Sequence, residues 1–120
     1  MVKSMESLEL TKKIASILDE KKAEDIRIIK ISDISVLADY FIIATGNSTT
    51  QVKSLVDEVD VKIGEMGVNV TRTEGYQNAN WIVLDYIDVV VHVFHKDTRV
   101  TYNLERLWAD GIAIPIEELL

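Results

Sequence analysis

The stretch Ala38–Thr45, ADYFIIAT, is apolar at almost every position. A strand with one solvent-facing side alternates apolar and polar residues, whereas a strand covered on both faces reads as a nearly continuous apolar run. We therefore predict that residues 38–45 form a buried strand at the centre of a sheet. Such a strand requires elements packed against both faces of the sheet, which favours a layered α/β domain.

Apolar residues at helical spacing predict one helix before this strand and one after it. The second helix begins at Ser48, which forms a capping-box pattern with Gln51. It stops at Gly67, with Gly64 as an earlier alternative. The apolar stripes are Leu10, Ile14, Ile17 and Leu18 in the first helix and Val52, Leu55, Val56, Val59 and Ile63 in the second. Each stripe gives its helix one face to bury against the sheet.

Other segments have strand patterns, and two of them predict a hairpin. The strand segments are residues 26–31, 68–74, 81–85 and 88–94. The last two are apolar runs joined at Tyr86 and Ile87, which is the hairpin signal. The sequence after the hairpin predicts a helix capped by Asp97 or Thr98, followed by a docked apolar tail at residues 111–120. The stripe of that helix is Val100, Leu104, Leu107 and Trp108.

The order of these elements predicts one α/β domain over residues 1–120. Its mixed sheet has about five strands with helices packed on it. No apolar run approaches the roughly 20 residues that cross a bilayer, so we expect no membrane span. The first residues, Met1–Lys13, fit neither a secretory signal nor a transit peptide, so we expect a cytoplasmic protein.

Charge and composition restrict the classes of function. The chain has 13 basic and 20 acidic residues, a formal net charge of −7 and no cysteine. Residues 51–120 alone hold 6 basic and 12 acidic residues. An acidic surface repels phosphate backbones and suits basic partners, so nucleic acid is disfavoured as the main contact. The lack of cysteine excludes disulfides, thiolate metal sites and a cysteine nucleophile.

The candidate chemical groups do not form a catalytic constellation or a metal site. His92 and His95 are three apart on a predicted strand and so point to opposite faces, which makes His92 a packed or hydrogen-bonded residue rather than a metal ligand. The Gly46–Ser48 turn could hold an anion at a helix N-terminus, but the capping box already explains it. Asp85 and Asp88 flank the hairpin turn, where solvated ends and a grip on a cationic partner are both open interpretations.

The two tryptophans differ in their expected roles. Trp81 opens a strand that has apolar residues on both faces. Tryptophan at the rim of a sheet is either a lid on the core or an interface anchor, and the pattern leaves both open. Trp108 lies on the apolar stripe of the last helix, so we expect it in the core.

Three stretches together resemble the ribosomal silencing factor family, also called the RsfS or Iojap family. They are DYFIIATGNSTTQV at residues 39–52, EGYQNANWIVLDYIDVVVHVF at 74–94 and RVTYNLERLWAD at 99–110. The resemblance covers residues 10–110, nearly the whole chain. It implies a fold similar to nucleotidyltransferases without catalytic residues, and a regulator that is not an enzyme and has no cofactor or metal.

The resemblance also implies a partner and a contact surface. It implies binding to the large ribosomal subunit through its fourteenth protein, at the face that meets the small subunit, so that subunit joining is blocked when nutrients are scarce. A role in large-subunit assembly is implied as well. The partner-binding residues fall on Glu74, Trp81, Asp85, Tyr86 and Asp88. A homodimer of the free protein through the same surface is a further hypothesis.

One position departs from the family pattern, and two other functions remain open. The family usually has glycine at the second hairpin position, where this chain has Ile87. A β-branched residue resists a positive φ, so we expect the turn to differ locally. The alternative functions are an acidic adaptor for another basic protein and a nucleotidyltransferase-related enzyme that uses Gly46–Ser48 for phosphate.

Overall fold

The computed structural model describes residues 6–33, 36, 38–101 and 111–119. Three α-helices, six strands and one short 3-10 helix are found in these residues. In chain order they are α1 (Ser7–Glu20), β1 (Glu24–Lys30), β2 (Tyr40–Gly46), α2 (Thr49–Glu65), β3 (Arg72–Glu74), β4 (Trp81–Asp85), β5 (Val89–His95), α3 (Lys96–Thr101), β6 (Ile112–Ile114) and the 3-10 helix Ile116–Glu118.

The strands form one mixed sheet in the order β3-β4-β5-β2-β1-β6. Strand β2 lies inside the sheet, parallel to β5 and antiparallel to β1, and every residue in it is buried. This confirms the predicted central strand. The predicted α/β architecture is confirmed too, while the likeness to nucleotidyltransferases stays a prediction.

Helices α1 and α2 pack against one face of the sheet. All of the predicted stripe residues of both helices are buried in one core cluster with the inward residues of the strands. Ser48 caps α2 as predicted, because its Oγ accepts from the N–H of Gln51 at 3.1 Å. The helix ends at Glu65, and Gly67 follows with a φ of 90°. Gly67 is therefore the stop, and Gly64 lies within the helix.

A second cluster fills the other face of the sheet, where α3 contacts β2 and β5. Arg99 of α3 ties that helix to the sheet. Its Nη1 donates to Thr45 Oγ1 at 2.5 Å and to the carbonyl of Asp25 at 3.0 Å, and its Nη2 lies 3.3 Å from the Asp25 carboxylate. Asp25 has a φ of 47° and lies within the irregular pairing of β1 with β2.

Three details of the sequence prediction are corrected. The strand predicted for residues 68–74 is only Arg72–Glu74, because its partner β4 ends at Asp85, whose carbonyl accepts the N–H of Thr71 at 2.8 Å. The last helix starts at Lys96 without a cap at Asp97 or Thr98. The imidazole Nδ1 of His95 accepts the N–H of Asp97 at 3.4 Å instead.

The third correction concerns the number of strands. Within the described residues the sheet has six strands, not about five, because the tail adds β6 antiparallel to β1. Leu104, Leu107 and Trp108 lie outside the described residues. Among the described residues, no helix is both long and apolar enough to cross a membrane.

Candidate protein interaction surface

The β4–β5 hairpin, predicted and confirmed, brings together most of the candidate site residues. In its antiparallel register Trp81 lies opposite Phe94, Val83 opposite His92, and Asp85 opposite Val90. Directly opposite residues of an antiparallel pair share a face of the sheet. On the outer side, β3 sets Arg72 opposite Asp85 and Glu74 opposite Val83. We call Arg72, Glu74, Trp81, Val83, Asp85 and Val90 the hairpin face. It lies on the side of the sheet that α1 and α2 do not cover.

The hairpin face combines an apolar strip with a charged rim. Trp81, Val83 and Val90 are half-buried, so each keeps part of its side chain accessible to solvent. Asp85 is also half-buried, while Arg72 and Glu74 are exposed. An apolar centre with a polar rim is the usual arrangement of a protein interface.

Trp81 is held on this face by two contacts within the sheet. Its ring stacks on Phe94 with centroids 4.9 Å apart and an interplanar angle of 24°. Its indole Nε1–H donates to Nδ1 of His92 at 3.0 Å. Trp81 therefore covers part of the second core cluster, which confirms the interpretation as a lid on the core. It also keeps part of its indole surface accessible to solvent, and its role as an interface anchor stays a prediction.

His92 is a packed, hydrogen-bonded residue, as predicted. Its side chain is 7% exposed, and Phe41 lies against it with ring centroids 5.0 Å apart. Burial lowers the pKa of His92 to about 4, because the charged imidazolium loses its hydration there. The imidazole is therefore neutral at physiological pH. His95 is the last residue of β5, with its side chain 19% exposed.

A compact loop delivers Trp81 to the start of β4. The carbonyl of Gly75 accepts from the N–H of Ala79 at 3.0 Å, and the carbonyl of Asn80 accepts from the N–H of His95 at 2.8 Å. Tyr76 ties the loop to α2 by donating its hydroxyl to the Asp57 carboxylate at 3.0 Å, a bond that raises the pKa of Tyr76.

Gly75 is required in this loop for two reasons. It has a φ of 78°, and a Cβ atom there would lie 2.1 Å from the carbonyl oxygen of Trp81. A side chain at position 75 would therefore displace the backbone of Trp81. The sequence predicted a polar turn at residues 75–80 but did not identify this contact.

The hairpin turn corrects the expectation for Ile87. This residue adopts a φ of 73° although it is β-branched. The N–H of Asp88 donates to the carbonyl of Tyr86 at 2.9 Å, which closes a γ-turn centred on Ile87. Asp85 Oδ1 accepts the N–H of Ile87 at 2.8 Å. The turn can therefore keep a positive φ without glycine because side-chain and backbone hydrogen bonds hold it.

Two further predicted site residues lie outside the hairpin face. Tyr86 is 6% exposed and belongs to the core cluster under α1 and α2. Burial raises the pKa of its hydroxyl, and the negative charge of Asp60 adds to the effect. Asp88 is exposed at the turn, and its carbonyl accepts from Asp39 N at 2.7 Å. Its carboxylate is thus accessible beside the hairpin face, whereas the ring of Tyr86 is not.

The other candidate groups have structural roles. The Gly46–Ser48 turn is closed by its own hydrogen bonds, since Gln51 Oε1 also accepts the N–H of Asn47 at 2.6 Å. In the part of the chain that the structure describes, no three His, Cys, Asp or Glu side chains are grouped as metal ligands would be.

Three residues of the hairpin face were missing from the sequence prediction. Val83 and Val90 were seen only as members of apolar runs, and Arg72 was not considered. Their shared face follows from the register of β3, β4 and β5, and a period-two alternation counted outward from Trp81 would have found Val83. Arg72 adds one positive charge to a rim that otherwise carries Glu74 and Asp85.

Residues 4–120 match the family model described as "Ribosomal silencing factor during starvation". A protein from Halalkalibacterium halodurans named "Ribosomal silencing factor RsfS" is 41% identical over 116 residues, which cover 97% of this chain and 99% of the relative. A crystal structure of a Chromobacterium violaceum protein has a TM-score of 0.85 and 38% sequence identity to this chain, and the match covers 88% of each.

A more distant relative has a longer chain. The Mus musculus protein named "Mitochondrial assembly of ribosomal large subunit protein 1" is 29% identical over 98 residues, which cover 79% of this chain and 43% of the relative. Sequence and structural comparisons therefore agree on one family.

Proposed function

The chain belongs to the ribosomal silencing factor family, and we propose on that basis that it regulates translation in the cytoplasm by binding the large ribosomal subunit. The proposed contact is the fourteenth protein of that subunit, at the face that meets the small subunit. Bound there, a domain with principal extents of 40 × 32 × 25 Å blocks subunit joining by its bulk. This action needs no reaction, cofactor or metal.

The observation that carries the proposal is the half-buried Trp81, held at one end of the apolar strip of the hairpin face. Tryptophan is among the residue types most enriched at interface hot spots, where it fills a pocket on the partner and excludes water. Val83 and Val90 extend the apolar area beside it. We assign these three residues to the centre of the contact.

Charge around the apolar strip supports a basic protein partner. Glu74, Asp85 and Asp88 lie beside it and outweigh the one positive charge of Arg72, and the whole chain has a net charge of −7. Such a surface attracts a basic ribosomal protein and repels the RNA beside it. Glu74, Asp85 and Asp88 are therefore the proposed charge partners, and the buried Tyr86 supports the hairpin from the opposite side of the sheet.

A role in assembly of the large subunit is a second part of the proposal. The name of the mouse relative supports it, because that name describes assembly of the large subunit in mitochondria. Binding to a subunit that has not yet joined serves both roles through one surface.

The experiment is the joining of separated ribosomal subunits followed by light scattering. Wild-type protein should lower the rise in scattering, and Trp81→Ala should restore it. Truncation of a central interface tryptophan costs about 2 kcal/mol or more, roughly thirtyfold in affinity. Val61→Ala is the matched control, since Val61 is 59% exposed on α2, which covers the opposite face.

A melting curve for each variant separates loss of binding from loss of folding. If folded Trp81→Ala blocks joining as well as the wild type, the assigned surface is wrong. Capture of a different basic protein, with no large-subunit proteins, would favour the adaptor function. Stoichiometric micromolar binding of a nucleoside triphosphate with magnesium would favour the enzyme.

We also propose that the free protein forms a homodimer through the hairpin face. A partly accessible tryptophan beside two valines is apolar surface that self-association would cover. Sedimentation showing only monomer at high micromolar concentration would contradict the dimer, and Trp81→Ala should shift a true dimer toward monomer.

A further inference from the structure

His92 contributes a specific hydrogen-bond acceptor beneath the hairpin face. Its Nδ1 lies 3.0 Å from Trp81 Nε1 and accepts the indole proton. A neutral imidazole has one donor nitrogen and one acceptor nitrogen, so this bond requires the tautomer with its proton on Nε2. The two residues are on neighbouring strands, with His92 paired to Val83 and Trp81 paired to Phe94.

The stack on Phe94 and the bond to His92 restrict different motions of the indole. Stacking at 4.9 Å fixes the plane of the Trp81 ring, but a half-turn about the Cβ–Cγ bond would keep that plane and exchange the two edges of the ring. A hydrogen bond from Nε1 selects one orientation within the plane, because the donor sits on one edge of the ring. Together the two contacts define which edge of Trp81 faces the solvent.

Burying the His92 side chain costs folding free energy, which indicates that this position requires a hydrogen-bond acceptor. Its side chain is 7% exposed, and its Nε2 has no hydrogen-bond partner in the described part of the chain. A buried polar atom without a partner is unfavourable, so a leucine of similar size would suit this apolar site better for stability alone. Leucine, however, offers no acceptor to Trp81.

We propose that His92 is a positioning residue of the partner-binding surface, which fixes the indole of Trp81 in the orientation that the partner recognises. The inference rests on the proposed function for its partner, but its structural half concerns Trp81 and His92 alone. A pre-oriented anchor loses less rotational freedom on binding than a mobile one, so it binds more tightly for the same contact area.

The test compares two substitutions at position 92. The amide oxygen of His92→Asn occupies nearly the position of Nδ1 and can accept the indole proton, whereas His92→Leu keeps similar bulk without an acceptor. The first readout is the indole N–H signal of Trp81 by NMR, assigned through Trp81→Phe. We expect slow hydrogen exchange at this N–H in the wild type and His92→Asn, and fast exchange in His92→Leu.

The second readout is affinity for isolated large subunits. One neutral hydrogen bond contributes on the order of 1 kcal/mol, so we expect His92→Leu to bind roughly three- to tenfold more weakly than the wild type, and His92→Asn to bind within about twofold of it. If His92→Leu does not fold, His92→Gln replaces it, because its longer side chain carries the oxygen away from the Nδ1 position.

Failure of this inference is distinct from failure of the proposed function. If hydrogen exchange at the Trp81 indole N–H is as slow in His92→Leu as in the wild type, the positioning role is overturned whatever the partner. If exchange becomes fast in His92→Leu but its affinity for large subunits is unchanged, binding does not use the orientation of the indole. That result would also overturn the proposal. If Trp81→Ala binds subunits normally, the proposed surface fails, and with it the use of this orientation in binding.

Discussion

The carboxylate of Asp85 accepts a hydrogen bond from the backbone N–H of Ile87, with 2.8 Å between Oδ1 and N. This bond fixes the turn in which Ile87 has a φ of 73°. Asp85 therefore has a structural role beside its proposed role as a charge partner. The two roles can be separated, since the turn needs an acceptor oxygen and the partner needs a negative charge.

Ile87→Gly should stabilise the protein. A β-branched residue at positive φ is strained by about 1–3 kcal/mol, while glycine reaches the same conformation freely. Ile87 is 62% exposed, so its removal sacrifices little buried area. After the larger backbone entropy of glycine is subtracted, we expect a gain of about 0.5–2 kcal/mol in the free energy of unfolding. Urea denaturation measures it, and a loss of stability would contradict the strained turn.

Gly75→Ala should destabilise the protein more than Gly67→Ala. Both glycines have a positive φ, which is 78° at Gly75 and 90° at Gly67. A Cβ at position 75 meets the Trp81 carbonyl, whereas a Cβ at position 67 has nothing within 4 Å. We expect about 1 kcal/mol of conformational strain at position 67 and about 3 kcal/mol or more at position 75. Equal losses in thermal or urea unfolding would show that the loop accommodates the side chain.

Local patterns predicted the parts of the fold that local forces determine. The apolar run at β2 and the cap from Ser48 to Gln51 depend on residues close in sequence, and both were predicted correctly. The bond from Trp81 to His92 spans 11 positions and depends on strand register, which a single sequence does not specify. Likewise, the tail was expected to dock, but nothing in its sequence indicated that Ala113 would pair with Ile29.

The candidate site was predictable in its residue types but not in its geometry. Sequence placed Tyr86 beside Asp85 and Asp88, yet the strand alternation turns its ring into the core on the opposite side of the sheet. Ile87 was expected to avoid a positive φ because intrinsic preference opposes it. The hydrogen bonds of the turn, including the one to Asp85, override that preference.

Acidification should destabilise the wild type through His92. The folded-state pKa of about 4 lies below the ordinary value of 6.5, so the unfolded chain binds the proton first. Stability from the neutral imidazole is therefore fully present above pH 6.5 and is lost as the pH falls toward 4, by about 3 kcal/mol in total.

His92→Asn lacks this titration. The difference in unfolding free energy between the two proteins should shift by about that amount from about pH 7 to pH 4, and a constant difference would contradict the buried, neutral His92.

Asp85→Asn combined with Asp88→Asn should slow binding to large subunits without loosening the bound complex. The amide oxygen introduced at position 85 can still accept the N–H of Ile87, so the turn is kept while two negative charges are removed. Rim charges act mainly by steering the encounter, and salt screens them. We therefore expect an association rate several-fold lower at low salt, a weaker dependence on salt and nearly the same dissociation rate, measured by stopped flow.

Glu117→Gln with Glu118→Gln is the matched control, because these exposed residues follow β6 at the opposite edge of the sheet. If both pairs slow association equally, net charge alone drives the encounter, and Asp85 and Asp88 are not specific charge partners.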